Sequence, residues 1–187
     1  MRGKFSSEER RILKALDAAV RTTPVRAALD EIAARVEQKL RKDATASLAW
    51  EPVPLSAYDA KLPEGIRSSW VFVLRAGTTS GAERHPNSHQ RMMSWRGTGD
   101  MHLWKKNKWK SNVLTPNRDA ALEERWVSIP VNVWHKPVMG PETWVVVSFH
   151  TVPADELIEE RGDPESSAET QRHTYAAMAD DKALGSR

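Results

Sequence analysis

From residue 46 to residue 152 the chain is a succession of short segments suited to strands. "SLAWEPV", "SSWVFVLRAG", "MMSWRGTG", "MHLWKKNKWK", "RWVSIPV" and "TWVVVSFHTV" are rich in β-branched and aromatic residues and are parted by Gly, Pro and Asn. No long helical pattern lies between them, which argues against a parallel sheet with crossover helices. Closely spaced strands with turns point instead to an antiparallel sandwich or barrel. "KKNK", between "HLW" and "WKSNVL", predicts the tip of a hairpin.

The flanks have a different character. Residues 6 to 42 read as a helical hairpin. Ser6 and Glu9 have capping-box spacing, and Ile12, Leu13, Leu16, Ala19 and Val20 follow as one apolar stripe. Thr23 and Pro24 restart a helix in the order of cap and then N1 proline. Val25, Leu29, Ile32, Val36 and Leu40 form the second stripe. The expected organisation is a hairpin over residues 1–45 that packs on the barrel or a dimer interface, a β-barrel over 46–152, and a polar tail over 153–187. In that tail Asp155, Glu156, Glu159, Glu160, Asp163 and Glu165 crowd together, and a short helix around Glu156 is expected.

Composition narrows the chemistry. The chain has 187 residues, enough for one domain with a real core. A formal charge of +3 is too small to argue for nucleic acid. The absence of cysteine excludes disulfides, thiolate metal sites and thiol nucleophiles. "MRGKFSSEERRILK" is too charged for a secretory signal, and no apolar run approaches the roughly 18 residues of a membrane span, so the cytoplasm is the expected location. No GxSxG, P-loop, GxGxxG or HExxH pattern occurs. Histidine and carboxylate on strands remain.

Those residues concentrate in "GTTSGAERHPNSHQRMMSWRG", residues 77 to 97. His85 and His89 are four apart, but Pro86 between them opposes a helix, and Asn87 and Ser88 favour a turn. Any chemistry here must come from strands and a turn. Here the chain resembles the cupin superfamily. That family's first motif runs Gly, five residues, His, one, His, three or four, Glu, six, Gly. Gly77, Glu83, His85, Gln90 and Gly97 stand at that spacing, with Glu83 in place of the first histidine and Gln90 in place of the glutamate. The second motif runs Gly, five residues, Pro, one, Gly, two, His, three, Asn. "ERWVSIPVNVWHKPVM" supplies Pro130 and His135 at the right separation. Asn132 replaces the middle glycine, and asparagine tolerates left-handed backbone better than most residues. Glu124 and Met139 replace the outer Gly and Asn.

The resemblance implies a small antiparallel barrel of jelly-roll type, a double-stranded β-helix, with the motif side chains in one open mouth. In cupins these four positions commonly bind a divalent metal. Glu83, His85 and His135 would then be the two imidazoles and one carboxylate of a non-haem Fe(II) centre, and Gln90 a weak fourth ligand or a hydrogen-bonding neighbour. Mn, Ni, Co or Zn would suit the same ligands. The leading expectation is a metal-dependent enzyme, of dioxygenase type, acting on a small organic molecule. Two alternatives stand beside it: a metal-free lyase or isomerase with Glu83 or His85 as base, and a non-catalytic ligand-binding protein. Gln90 shares the catalytic assignment with Glu83. Arg75, at the parity of Glu83, is expected to point inward at an anionic substrate. His89 reads as a turn residue outside the barrel, and His150 in "VSFHTV" can face either side. His102 and His173 read as surface or edge residues. A homodimer is the expected assembly.

Overall fold

Two apolar stripes on a short hairpin need a sheet to cover, and the strand segments supply one. The computed structural model describes residues 5–58, 62–166 and 170–175. Helices α1 (Ser7–Arg21) and α2 (Thr23–Lys42) open the chain. Strands β1 (Leu48–Pro52), β2 (Ser68–Leu74), β3 (Ala82–Arg84), β4 (Gln90–Arg96), β5 (Gly99–Trp104), β6 (Trp109–Lys110) and β7 (Val113–Leu114) follow. A four-residue helix, α3 (Leu122–Arg125), leads into β8 (Trp126–Ile129), β9 (His135–Met139), β10 (Trp144–His150), β11 (Ile158–Gly162) and β12 (Gln171–Thr174). No helix among these residues is long and apolar enough to cross a membrane.

The strands form two antiparallel sheets, β1-β2-β10-β4-β8 and β12-β11-β3-β9-β5-β6, with β7 also on β5. Consecutive strands alternate between the sheets from β2 to β5 and again from β8 to β11. The chain therefore winds as a double-stranded β-helix. That is the jelly-roll barrel of cupins. The "KKNK" tip is the hairpin between β5 and β6, with Lys106 and Asn107 both at positive φ.

Side-chain alternation explains why "WVVV" is continuously apolar. On β10, Trp144 and Val146 turn inward to Met92, Met101, Leu103, Leu114, Val127 and Ile129. Val145, Val147 and Phe149 turn outward to the helices. Every residue of β10 is buried. The α2 stripe from Val25 to Leu40 is fully buried on this outer face, and so are Leu13, Leu16, Ala19 and Val20 of α1. Each such Val, Leu or Ile side chain contributes about 1.5–3 kcal/mol, and truncating a leucine, as in Leu29→Ala, would cost about 2–5 kcal/mol. Both stripes are thus used within the chain, and a homodimer would have to form through another surface.

Several local expectations need adjustment. Ser6 does cap α1 by accepting from the Glu9 amide at 3.1 Å. The Glu9 carboxylate, however, goes to Arg91 instead of closing the box. The cap of α2 is Thr22, not Thr23, and Pro24 sits one position further in. The larger correction is beyond Val152. Residues 154–156 form a turn, not a helix, and β11 and β12 extend the second sheet. The segment looked like a solvated tail because its charges have cross-strand partners: Glu160 is opposite Arg84 and Arg161 opposite Glu83. The rest of the expected tail, from residue 176, lies outside the described residues.

Candidate metal centre

Strand pairing brings the two motifs together. β3 lies antiparallel to β9 with Glu83 directly opposite His135, and His85 follows β3 on the same inward side. The turn before β9 is held by Asn132, which adopts the left-handed φ of +64° expected at the glycine position. Its amide donates to the His85 carbonyl at 2.9 Å, so the turn of the second motif supports the histidine of the first. At the other end of the first motif, Gly97 has φ +73°, and a Cβ there would stand 2.4 Å from the Thr143 carbonyl oxygen.

The resulting cluster has an unusual hydrogen-bond pattern. Glu83, His85 and His135 each offer one ligand atom, and these atoms all lie within 4.8 Å of one another. His85 Nδ1 lies 2.9 Å from the Ile158 carbonyl oxygen, and His135 Nδ1 lies 3.0 Å from that of Val133. A carbonyl only accepts, so each Nδ1 carries the proton and each Nε2 keeps its lone pair. Both Nε2 atoms are buried without a hydrogen-bond partner among the described residues. His135 Nε2 is 3.4 Å from Glu83 Oε1, without hydrogen-bond geometry. Oriented imidazoles with free, buried Nε2 atoms beside a carboxylate fit a divalent metal, because the backbone partner is what fixes a ligating tautomer.

Electrostatics agree with that protonation pattern. Burial pushes the His85 pKa down to about 4, and His135 adds to the effect. Burial alone would raise Glu83, but His135, His85 and Arg161 outweigh it and hold the carboxyl at about 2. The site at neutral pH therefore has Glu83 anionic and His85 neutral.

Gln90 opens β4 and lines the same cavity as Glu83, with its Oε1 buried and without a partner among the described residues. His89, next to it, faces the opposite way and bonds Ser128 Oγ at 2.7 Å. His102 pairs with Asp100 and His173 lies on exposed β12, both as expected. Arg75 requires correction. It lies beyond the end of β2, and its guanidinium donates to the carbonyls of Leu40, Asp43 and Ala46 around the C-terminal end of α2. Parity does not carry across the turn that separates β2 from β3, where Gly77 and Gly81 both have positive φ.

Four residues of this region escaped the sequence reading. His150 is inward on β10, fully buried, and packs edge-on against His85 with ring centroids 5.1 Å apart. Its two nitrogens already face Ser88 and Ser148, at 3.3 and 3.4 Å, which sets it apart from the two free imidazoles. Its alternation with Trp144, Val146 and Ser148 was the available signal. Arg161 and Tyr175 line the cavity, and Glu159 is buried beside them. Burial, then the Glu83 charge, pushes Glu159 up to about 7. The positions of β11 and β12 reveal these three.

No family model matches the chain, and no curated protein matches it. Among solved structures it is similar to pumpkin seed globulin, at 15% identity and a TM-score of 0.47 over 63% of this chain and 28% of the other. It is also similar to an oxalate oxidase solved with the substrate analogue glycolate, at 18% identity and a TM-score of 0.44 over 59% and 56% of the two chains. An oxalate decarboxylase from Lactobacillus farciminis gives 12% and 0.44 over 57% and 29%. The chain thus spans between about a quarter and just over half of these proteins. Likeness at this level assigns no activity.

Proposed function

We propose that the protein is a metal-dependent enzyme acting on a small organic molecule, with Glu83, His85 and His135 holding a divalent ion, Fe(II) by preference. The observation that carries this reading is the pair of buried, unpartnered Nε2 atoms, each on a ring whose Nδ1 is committed to a backbone carbonyl. Two imidazoles and one carboxylate suit Fe(II) in oxygenases, and such an ion supplies open coordination positions and a redox couple when bound. The chain's own residues do the rest. Glu83 balances charge, the backbone partners of His85 and His135 keep both rings from rotating, and Gln90 presents an acceptor to a ligand hydroxyl or amine. Trp50, Phe72, Met92 and Trp144 wall the cavity and limit water.

Elemental analysis of the purified protein tests the reading, with about one divalent metal per chain expected. Glu83 supplies the sharper arm. Glu83→Gln keeps the shape and removes the charge, so it should lose much of the metal. Glu83→His restores an imidazole and should retain it. Equal metal content in wild type and both variants would remove Glu83 from the site and with it the argument for oxygenase chemistry.

A further inference from the structure

Among the described residues that line the cavity beside the metal centre, one is a cation that the centre itself does not require. Arg161, on β11, stands opposite Glu83 in the sheet register and lines the cavity. Its Nε is committed to Glu159, whose side chain is 1% exposed. A buried carboxylate thus fixes the plane of the guanidinium. Nη2 is 3.8 Å from Glu83 Oε2, beyond hydrogen-bond reach, and among the described residues no hydrogen bond engages Nη1 or Nη2. Those two nitrogens are the half of the fork that matches a carboxylate in a bidentate pair. The remaining wall is mostly apolar, with Trp50, Phe72, Met92, Trp144 and Val146. The space among these residues, with the open solvent at its mouth included, is about 480 Å³.

Charge balance favours the same ligand. Around the cavity the ionisable partners of Arg161 are Glu83, Glu159 and Tyr175. With a dication held by Glu83, His85 and His135, the dication and Arg161 outweigh the two carboxylates even when both are ionised. A neutral ligand would leave that excess positive charge in a half-buried pocket, and a monoanion cancels it.

We propose that the substrate is a small carboxylate with an apolar body, its carboxyl group gripped by Nη1 and Nη2 of Arg161 and its body against the tryptophan-lined wall. This rests on the metal-centre reading for the charge balance, but not for the guanidinium fork itself. Arg161 is accordingly a specificity-determining residue supplied by the last part of the barrel.

The test is equilibrium binding, followed by tryptophan fluorescence and calorimetry, with straight-chain carboxylates from acetate to hexanoate and the matching amides. Zn(II)-loaded and chelator-treated protein are compared. In the loaded protein each acid should bind at least about tenfold more tightly than its amide. Affinity should rise roughly threefold to fourfold per added methylene until the wall is filled. Arg161→Gln should remove most of the acid preference, and Arg161→Lys, which keeps a partner for Glu159, should remove part of it. No preference for acid over amide in wild type overturns the proposal without any variant. An acid preference unchanged in both variants also overturns it, assigns the carboxylate to the metal, and leaves the metal centre standing. Failure to take up Zn(II), with an acid preference that still depends on Arg161, overturns the metal centre and upholds this proposal.

Discussion

The outer face of the sheet β1-β2-β10-β4-β8 and the barrel interior on its other side treat buried polar groups in opposite ways. On the outer face, under the helices, polar groups are paired. Asp17 receives Arg125 and the Trp126 indole, Glu9 receives both Nε and Nη2 of Arg91, and Asp30 receives the Trp95 indole. In the barrel interior, between this sheet and the second, Ser80 Oγ, His85 Nε2, Gln90 Oε1, His135 Nε2 and the Trp70 indole are all buried without a hydrogen-bond partner among the described residues. An unsatisfied buried polar group costs about 1–3 kcal/mol, so a fold that pairs such groups under the helices and leaves several unpaired in the barrel interior, between the two sheets, has reserved them for something else. The lesson is general: the pairing of buried polar atoms separates scaffold from site more sharply than burial does.

The sharpest way to break the comparison is to remove a free imidazole. His85→Ala or His135→Ala should reduce metal affinity by more than about 100-fold, while Gln90→Ala should cost about tenfold or less. Metal titration against a competing chelator measures both, and a His135 variant with wild-type affinity would dissolve the distinction between the faces. The opposite substitution is Asp17→Ala, which strands the buried Arg125 guanidinium. It should lower stability by about 3–5 kcal/mol in denaturant titration and leave metal affinity unchanged.

The two faces should also titrate in different windows, best seen in the chelated protein. His85 has a folded pKa of about 4 against an ordinary 6.5, so the unfolded chain takes the proton first. Its contribution is complete above pH 6.5 and is lost as the pH falls from 6.5 toward 4, and His150, pushed down by burial, adds to the same slope. Asp17 behaves differently. Burial opposes its ionisation, but the hydrogen bonds from Arg125 and Trp126 outweigh burial and set its pKa below the ordinary 3.8. That contribution is intact until about pH 3.8 and is lost only below it. Chemical denaturation at stepped pH should show the first slope weakened in His85→Gln and the second removed in Asp17→Asn. The smallest effect belongs to Arg75→Ala. Losing the cap of α2 should cost about 1–2 kcal/mol and alter neither metal nor ligand binding, and a loss of ligand affinity would return Arg75 to the site.

Much of this contrast was legible in one dimension. Period 3.6 in the N-terminal stripes and the strand segments between 46 and 152 follow from which side chains can cover which surface, and both reappear in the structure. So does the left-handed Asn132, because backbone sterics at a tight turn depend on the residue itself. Glu83, His85 and His135 are the ligand set that the resemblance to cupin motifs implies, and the structure puts their ligand atoms together. Arg75 and Arg161 mark the boundary of that legibility. Both are arginines near a strand end, yet one caps a helix and the other lines the cavity.

What the sequence determined by itself was the inventory of elements, the turns, and the residue types able to ligate a metal, since these depend on local sterics and on periodicity within one element. Only the tertiary structure decided which arginine enters the mouth, that His150 faces inward with both nitrogens engaged, and that His85 and His135 spend their Nδ1 protons on the carbonyls of Ile158 and Val133. The physical reason is that parity resets at every turn. Hydrogen-bond partners 73 residues apart, as for His85 and Ile158, are chosen by strand pairing that no local pattern encodes.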